Sequence, residues 1–146
     1  MSEKALWSLV RSNLALRMFR VENRVAAGMP DVHYVIDSEN GYIIDRKSGW
    51  IELKYIEKFP KKGKVNIGLR KSQDLWIQKY TSMGGQCYIL LRVGREKIFL
   101  INGKHSNILH KMPNHSAFLE LPCWSHCGNM KEEDWKDLKF SIAHEK

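Results

Sequence analysis

The amino-acid sequence predicts one α/β domain, in which a central mixed sheet of four to five strands is flanked by helices. The chain has 146 residues, 43% of them hydrophobic and 27% charged, which suits a single domain with one sizeable core. Helical and strand periodicities follow one another in the order helix, three strands, helix, two strands, and this order favours a sheet covered by helices. No internal repeat or linker is apparent, so residues 1–146 are interpreted as one domain.

Residues 2–17 are predicted to form the first helix, because apolar residues recur there at helical spacing. These residues are Leu6, Leu9, Val10 and Leu14. Residues 18–23 and 31–37 alternate between apolar and polar side chains, which predicts two strands. A turn that contains glycine and proline, over residues 27–30, separates these strands.

The remaining elements follow from the same periodicities and from the glycines between them. In chain order they are an additional hairpin arm (41–48), a third strand (49–56), a basic loop (58–71), a second helix (72–83), two strands (87–93 and 97–101) and a C-terminal helix (131–140). The rest of the C-terminal third is less regular, and no strand is predicted there.

Charged side chains on the third predicted strand are the first indication of chemistry. Glu52 and Lys54 are two residues apart and therefore share one face of the strand, whereas Ile51 and Leu53 face the other side. An acid and a base among hydrophobic neighbours need a partner if they are buried. Asp31 begins the preceding strand and supplies a second acid. A metal ion with a phosphate is one partner that suits this set.

These residue types suit the hydrolysis of a phosphodiester bond. Carboxylate oxygens hold Mg²⁺, with Mn²⁺ as an alternative, and the ion binds a phosphate oxygen and lowers the pKa of its water. In this interpretation Asp31 and Glu52 are the metal ligands, and Lys54 stabilises developing negative charge or orients the water. The main-chain carbonyl of Ile51 or that of Leu53 is a further candidate ligand.

The balance of charges favours a polyanionic partner. The sequence has 24 Lys and Arg residues against 16 Asp and Glu residues, a formal charge of +8 and a pI near 9.5. The predicted loop over residues 58–71 holds a run of basic residues directly after the Glu52–Lys54 strand. The residues expected to contact DNA are Arg20, Arg24, Lys58, Lys61, Lys62, Lys64, Arg70 and Lys71.

The string Gly28-Met29-Pro30-Asp31, then Glu52-Leu53-Lys54, then Gln73 and Trp76 in a helix resembles the PD-(D/E)xK nuclease superfamily. Within it, the string is similar to the VRR-NUC branch and to phage and archaeal Holliday-junction resolvases. The resemblance covers about residues 2–101 and leaves 102–146 as an extension of unclear role. It implies a restriction-endonuclease-like fold, magnesium dependence, cleavage of branched or double-stranded DNA, and a homodimer.

The resemblance also implies roles for individual residues. Asp31 and Glu52 match the metal-binding acids, Lys54 matches the catalytic lysine, and Gln73 matches a glutamine that often follows the motif. An acid on the first helix is also usual in the family. Glu3 fits that position and Glu22 competes with it, so the third metal ligand is left open between them.

Other interpretations remain at this point. A non-catalytic DNA-binding module on a nuclease-like fold is one alternative, and a less selective nuclease is another. Glu3 also suits the positive end of a helix dipole, and Glu22 could pair with Arg20 or Arg24. Trp50, on the Glu52–Lys54 face, is expected to pack beneath the site rather than to stack on a base.

The three cysteines are too few and too scattered for a disulfide framework. Cys123, His126 and Cys127 hint at zinc, although they supply at most one side of a tetrahedral site. No apolar run approaches the roughly 18 residues that span a bilayer, and no signal-peptide pattern begins the sequence. A cytoplasmic location, in the host if the protein is phage-encoded, and no membrane partner are therefore expected.

Overall fold

A computed structural model describes residues 2–21, 26–36 and 48–144, and these residues contain five α-helices and one six-stranded sheet. The helices are α1 (Glu3–Asn13), α2 (Lys71–Ser82), α3 (Ser106–His110), α4 (His115–Phe118) and α5 (Glu132–His144). A short 3₁₀ helix, Gly103–His105, leads into α3. The strands are β1 (Arg17–Arg20), β2 (Val32–Val35), β3 (Ser48–Ile56), β4 (Cys87–Val93), β5 (Lys97–Asn102) and β6 (Pro122–Cys127).

The strands lie in the sheet in chain order, from β1 to β6. The pair β3–β4 is parallel and is connected through α2, whereas every other neighbouring pair is antiparallel. The predicted fold class, a mixed sheet flanked by helices, is confirmed. The sheet has six strands rather than four to five because β6 joins its edge, where Pro122 and the polar residues of this strand gave no strand pattern.

Two hydrophobic cores lie on opposite faces of this sheet. The first core contains α1, α5 and the sheet residues Ile51 and Leu53. The second core contains residues of α2, α3 and α4, and Trp50 and Ile56 pack against it from the sheet. All of β4 is buried, as expected for a strand that is covered on both faces. The predicted alternation along β3 is therefore confirmed, and Glu52 and Lys54 lie on the face that α2 covers.

Several predicted boundaries differ from the structure. Helix α1 ends at Asn13 rather than at residue 17, because the backbone of Leu14 is already extended and β1 begins at Arg17. The predicted hairpin arm at 41–48 lies outside the described residues, except for Ser48, which begins β3. Within the described ranges, no helix is both long enough and apolar enough to cross a membrane.

The basic segment after β3 has no regular secondary structure, and its second half packs on the second core. Val65, Ile67 and Leu69 are buried in that core, and the residues between them are exposed. The Val65 N–H donates to the Pro113 carbonyl at 2.7 Å, which holds the segment against the loop between α3 and α4. The prediction of a plain loop missed this period-two burial, which the alternating Val, Ile and Leu residues carry.

Asp74 fixes α2 to the elements that follow the sheet. Its carboxylate accepts hydrogen bonds from Ser106 Oγ at 2.7 Å, Asn107 Nδ2 at 3.3 Å and Gln78 Nε2 at 2.7 Å. Burial opposes ionisation, but these bonds and the nearby charge of His110 outweigh it and hold the pKa of Asp74 below its usual value. This acid is therefore a structural anchor that keeps α2 in place over β3.

Gly28 brings the turn before Asp31 against the first turn of α2. Its φ is +83°, and a Cβ atom on it would lie 2.0 Å from the Ser72 carbonyl oxygen and 2.8 Å from the Gln73 nitrogen. We expect Gly28→Ala to lower the free energy of unfolding by about 2–4 kcal/mol, because left-handed strain and a backbone clash act together. Chemical denaturation measures this loss.

Gly63→Ala is the matched control for that variant. Gly63 has a φ of +92°, but its added Cβ would meet nothing within 4 Å, so only the conformational strain remains. We expect a loss of about 1 kcal/mol there. Equal losses in the two variants would show that the close approach of Gly28 to Ser72 does not constrain the fold.

Candidate functional site

Asp31 and Glu52 lie side by side at the junction of β2 and β3. The antiparallel register pairs Val32 with Ile51, which places Asp31 opposite Glu52 one step further along. The Asp31 N–H donates to Glu52 Oε2 at 3.2 Å. Asp31 is half-buried, whereas only 2% of Glu52 is exposed. The turn that contains Gly28 and packs against α2 therefore places the main chain of Asp31 in contact with a buried carboxylate.

A hydrogen-bonded network connects Glu52, Lys54 and Gln73. Gln73 Nε2 donates to Glu52 Oε1 at 2.7 Å, and Lys54 Nζ donates to Gln73 Oε1 at 3.1 Å. Lys54 Nζ also lies 3.5 Å from Glu52 Oε1 as an ion pair. Lys54 is 6% exposed and Gln73 is 2% exposed. The two groups that share a face of β3 are thus connected by the amide of a residue on α2.

The basic segment makes two further contacts with this network. Lys54 Nζ donates to the Gly68 carbonyl at 3.1 Å, and the Arg70 N–H donates to Gln73 Oε1 at 3.0 Å. Gly68 has a φ of +78°, and its N–H donates to Asn66 Oδ1 at 2.9 Å, so a tight turn aims its carbonyl at the lysine. Sequence reasoning missed Gly68, because a main-chain carbonyl leaves no mark in the residue pattern.

The paired carboxylates are a donor set that could hold a divalent cation. Mg²⁺ prefers hard oxygen ligands and is commonly held by one or two carboxylates together with water and a substrate phosphate. Asp31 and Glu52 supply two negative charges against the single positive charge of Lys54. A divalent ion at this point would reverse the sign of that balance and favour a phosphodiester.

Glu3 lies on a different element from this pair. It is the exposed first residue of α1, which packs on the first core, and no hydrogen bond or ion pair joins it to another described residue of the site. Within 2–21, 26–36 and 48–144, no group of three or more His, Cys, Asp or Glu side chains is arranged to hold a metal ion. Glu22 and Arg24 lie outside the described residues. The third ligand, Glu3 or Glu22, stays a prediction.

The other residues predicted to contact DNA are on the surface. Arg20 is exposed on β1 opposite Val32, the residue that follows Asp31 and begins β2. Six exposed residues belong to the basic segment and the start of α2: Lys58, Lys61, Lys62, Lys64, Arg70 and Lys71. The contacts of Gly68 and Arg70 connect this surface directly to Lys54 and Gln73.

Trp50 packs beside the site, as predicted. Its ring lies 4.9 Å from that of His33 and 5.9 Å from that of Trp76, and Trp76 in turn stacks on Tyr80 at 4.9 Å. These distances join ring centroids. The row buries the side of β3 next to Glu52 and fixes α2 over the strand, which supports the position of Gln73.

The zinc hint in the C-terminal third has no support in the geometry of β6. Cys123 and Cys127 are exposed and lie four residues apart on one face of a strand, which separates them by about 13 Å. His126 lies on the other face, where its Nε2 contacts the Asn129 carbonyl at 3.2 Å. These three side chains therefore cannot bind one ion together.

Comparisons with known proteins give limited matches. No protein-family model matches this sequence, and no curated protein matches it. Among solved structures, the chain is similar to Archaeoglobus fulgidus Hjc, a Holliday junction resolvase from an archaeal hyperthermophile. The sequences are 16% identical, the similarity covers 70% of this chain and 74% of that chain, and the TM-score is 0.44.

Proposed function

We propose that this protein is a metal-dependent endonuclease that hydrolyses phosphodiester bonds in DNA. The observation that carries the proposal is the buried network of Glu52, Lys54 and Gln73 beside Asp31. A buried ion pair is rarely the most stable filling for such a position, because the desolvation of both charges offsets their attraction. A requirement for chemistry explains why an acid, an ammonium group and an amide are kept together under α2.

The roles follow from the contacts. Asp31 and Glu52 would hold Mg²⁺ or Mn²⁺, which supplies Lewis-acid stabilisation of phosphate charge and a water of lowered pKa. Lys54 is oriented by Gly68 and Gln73, and its ammonium group stabilises the negative charge that develops on the phosphate oxygens. Gln73 positions Lys54 and Glu52 relative to each other.

DNA is the substrate that the charge distribution favours. The formal charge of the chain is +8, and the exposed basic segment is bonded to the catalytic lysine through Gly68. Contacts of this kind grip backbone phosphates without reading bases. We infer a preference for branched DNA and a homodimer from the motif resemblance, since two symmetric sites suit the opposing strands of a four-way junction.

The test is cleavage of a labelled four-way junction and of a linear duplex with the same sequence. We expect the junction to be cut by paired nicks with Mg²⁺ or Mn²⁺ and not with EDTA. Equal cleavage of both DNAs would contradict the preference for branched DNA and indicate a less selective nuclease. Tight binding of DNA without any cleavage would contradict the proposed nuclease activity and favour a non-catalytic DNA-binding module on this fold.

Gln73→Ala tests whether that amide positions the site. We expect the cleavage rate to fall about 10–100-fold with little change in DNA affinity, because Glu52 and Lys54 lose their shared partner. Gln78→Ala is the matched control, since Gln78 is on the same helix and donates to Asp74 at 2.7 Å, away from Lys54. A similar loss of rate in both variants, scaled to their loss of stability, would assign Gln73 a structural role only.

A further inference from the structure

A cleft of about 570 Å³ lies at the end of β3 where the basic segment begins. Three separate parts of the chain supply its cationic or imidazole side chains: the start of the basic segment, the β4–β5 hairpin and α4. These side chains are Lys58, Lys61, Arg95, Lys97 and His115. We call this site the Phe59 cleft, because the ring of Phe59 lies among them.

The Phe59 cleft has an excess of positive charge. Four Lys and Arg side chains line it against the two acids Glu57 and Glu96. Glu57 Oε2 accepts a hydrogen bond from Tyr55 Oη at 2.5 Å, which orients this carboxylate but leaves its charge in place. Lys97 Nζ lies 5.7 Å from the centroid of the Phe59 ring, at the boundary of the cleft. An anionic ligand complements this arrangement.

Aromatic rings pack at the floor of the cleft. Phe59 stacks on His115 with centroids 4.4 Å apart and an interplanar angle of 29°. Its edge contacts Phe99 at 5.8 Å and Phe118 at 5.3 Å in T-shaped arrangements, and both of these rings are buried in the second core. The segment that carries Lys58 and Lys61 is therefore held against the second core at Phe59.

The distance between the Phe59 cleft and the candidate site can be estimated along β3. Glu57 is five residues beyond Glu52 and follows directly on β3, so the cleft begins about 16 Å from the carboxylate pair. A DNA duplex rises about 3.4 Å for each nucleotide of one strand. For a duplex whose axis runs along β3, this is about five nucleotides from a phosphate held by Asp31 and Glu52, at the other end of the segment that contacts Lys54.

We propose that the Phe59 cleft binds the sugar–phosphate backbone of the DNA substrate about five nucleotides from the bond that is cut. This inference rests on the proposed function for the identity of the ligand. It adds Arg95, Lys97 and His115, which come from elements after the basic segment, to the DNA-contacting surface. The ligand that suits the Phe59 cleft is a row of phosphodiester groups, which the cleft recognises by charge and not by base sequence.

The test uses two double variants of the full chain. The cleft variant is Arg95→Gln/Lys97→Gln, and the control variant is Lys136→Gln/Lys139→Gln. The control pair removes the same charge from α5, which packs on the other face of the sheet. Binding of the labelled DNA is measured between 50 and 300 mM salt. We expect each phosphate contact that is lost to weaken binding about tenfold at 0.1 M salt and to reduce the salt slope by about one, with no such change in the control.

Neutral methylphosphonate groups, placed singly along the labelled strand, locate the contact. We expect weaker binding of the wild type with a substitution about five nucleotides from the cut, and no such effect in Arg95→Gln/Lys97→Gln. One outcome would reject the cleft proposal and leave the nuclease proposal intact: the wild type cuts DNA, and both double variants bind DNA with the same salt dependence as the wild type. If the wild type binds but never cuts, and only the cleft variant binds weakly, the nuclease and the five-nucleotide spacing are overturned, and the cleft stands as a contact for the DNA backbone.

Discussion

Glu52→Gln is expected to reduce the single-turnover cleavage rate by about 10³-fold while DNA affinity stays within about twofold. The substitution preserves the size of the side chain and an oxygen that can accept the hydrogen bond from Gln73 Nε2. It removes one of the two carboxylates proposed to hold the metal ion, and with it the negative charge that a divalent cation requires. DNA affinity depends mainly on exposed basic residues, none of which is altered.

The same variant has a second readout that is independent of activity. Wild-type protein is expected to unfold at a higher temperature when Mg²⁺ is added, because an ion that binds only the folded chain stabilises it by mass action. Glu52→Gln should lose this increase in Tm. Glu133→Gln, an exposed acid on α5, is the control and should retain it. Cleavage by Glu52→Gln at the wild-type rate would remove Glu52 from the catalytic site.

Lys54→Met is expected to lower the cleavage rate by about 10²–10³-fold and to destabilise the fold by about 3–5 kcal/mol. Methionine has nearly the same length and no charge. The Glu52 carboxylate, which is 2% exposed, then lacks its counter-charge, and the Gly68 carbonyl and Gln73 Oε1 lose a donor. Chemical denaturation and single-turnover cleavage measure the two effects.

Mg²⁺ distinguishes the two variants from each other. In Lys54→Met both acids remain and the opposing positive charge is gone, so we expect Mg²⁺ to raise its Tm by at least as much as in the wild type. The opposite response, with the Mg²⁺ effect lost in Lys54→Met and retained in Glu52→Gln, would contradict the assigned roles. The double variant Glu52→Gln/Lys54→Met should be destabilised by less than the sum of the two single variants, since neither charge is then left unpaired.

The strand and helix pattern could be predicted from the sequence because it depends on local geometry. Successive side chains on a strand point to opposite faces, so Glu52 and Lys54 had to share a face once β3 was recognised. Alternation predicted β1 and β2, the turn at Gly94 separated the apolar runs of β4 and β5, and the spacing of Leu6, Val10 and Leu14 predicted the face of α1 that is buried. Strand β6, where Pro122 and polar residues obscure the pattern, was missed, and so were the short helices α3 and α4.

The identities of the candidate ligands could also be proposed from residue chemistry, but their relative positions could not. Asp31 and Glu52 are 21 residues apart, and their contact depends on the register between β2 and β3. Glu3 fitted a motif position equally well, yet it is exposed on a helix that packs on the first core. A motif specifies residue types and order, whereas the packing of α1 decides where its first residue lies.

What the sequence determined by itself is therefore the fold class, the shared face of Glu52 and Lys54, and the basic character of the segment that follows them. Only the tertiary structure decided that Gln73 joins the acid to the lysine, that Gly68 orients Lys54, and that Arg95 and Lys97 meet Lys58 in one cleft. The reason is physical: backbone sterics set side-chain direction within one element, whereas contacts between elements arise from how all of them pack together.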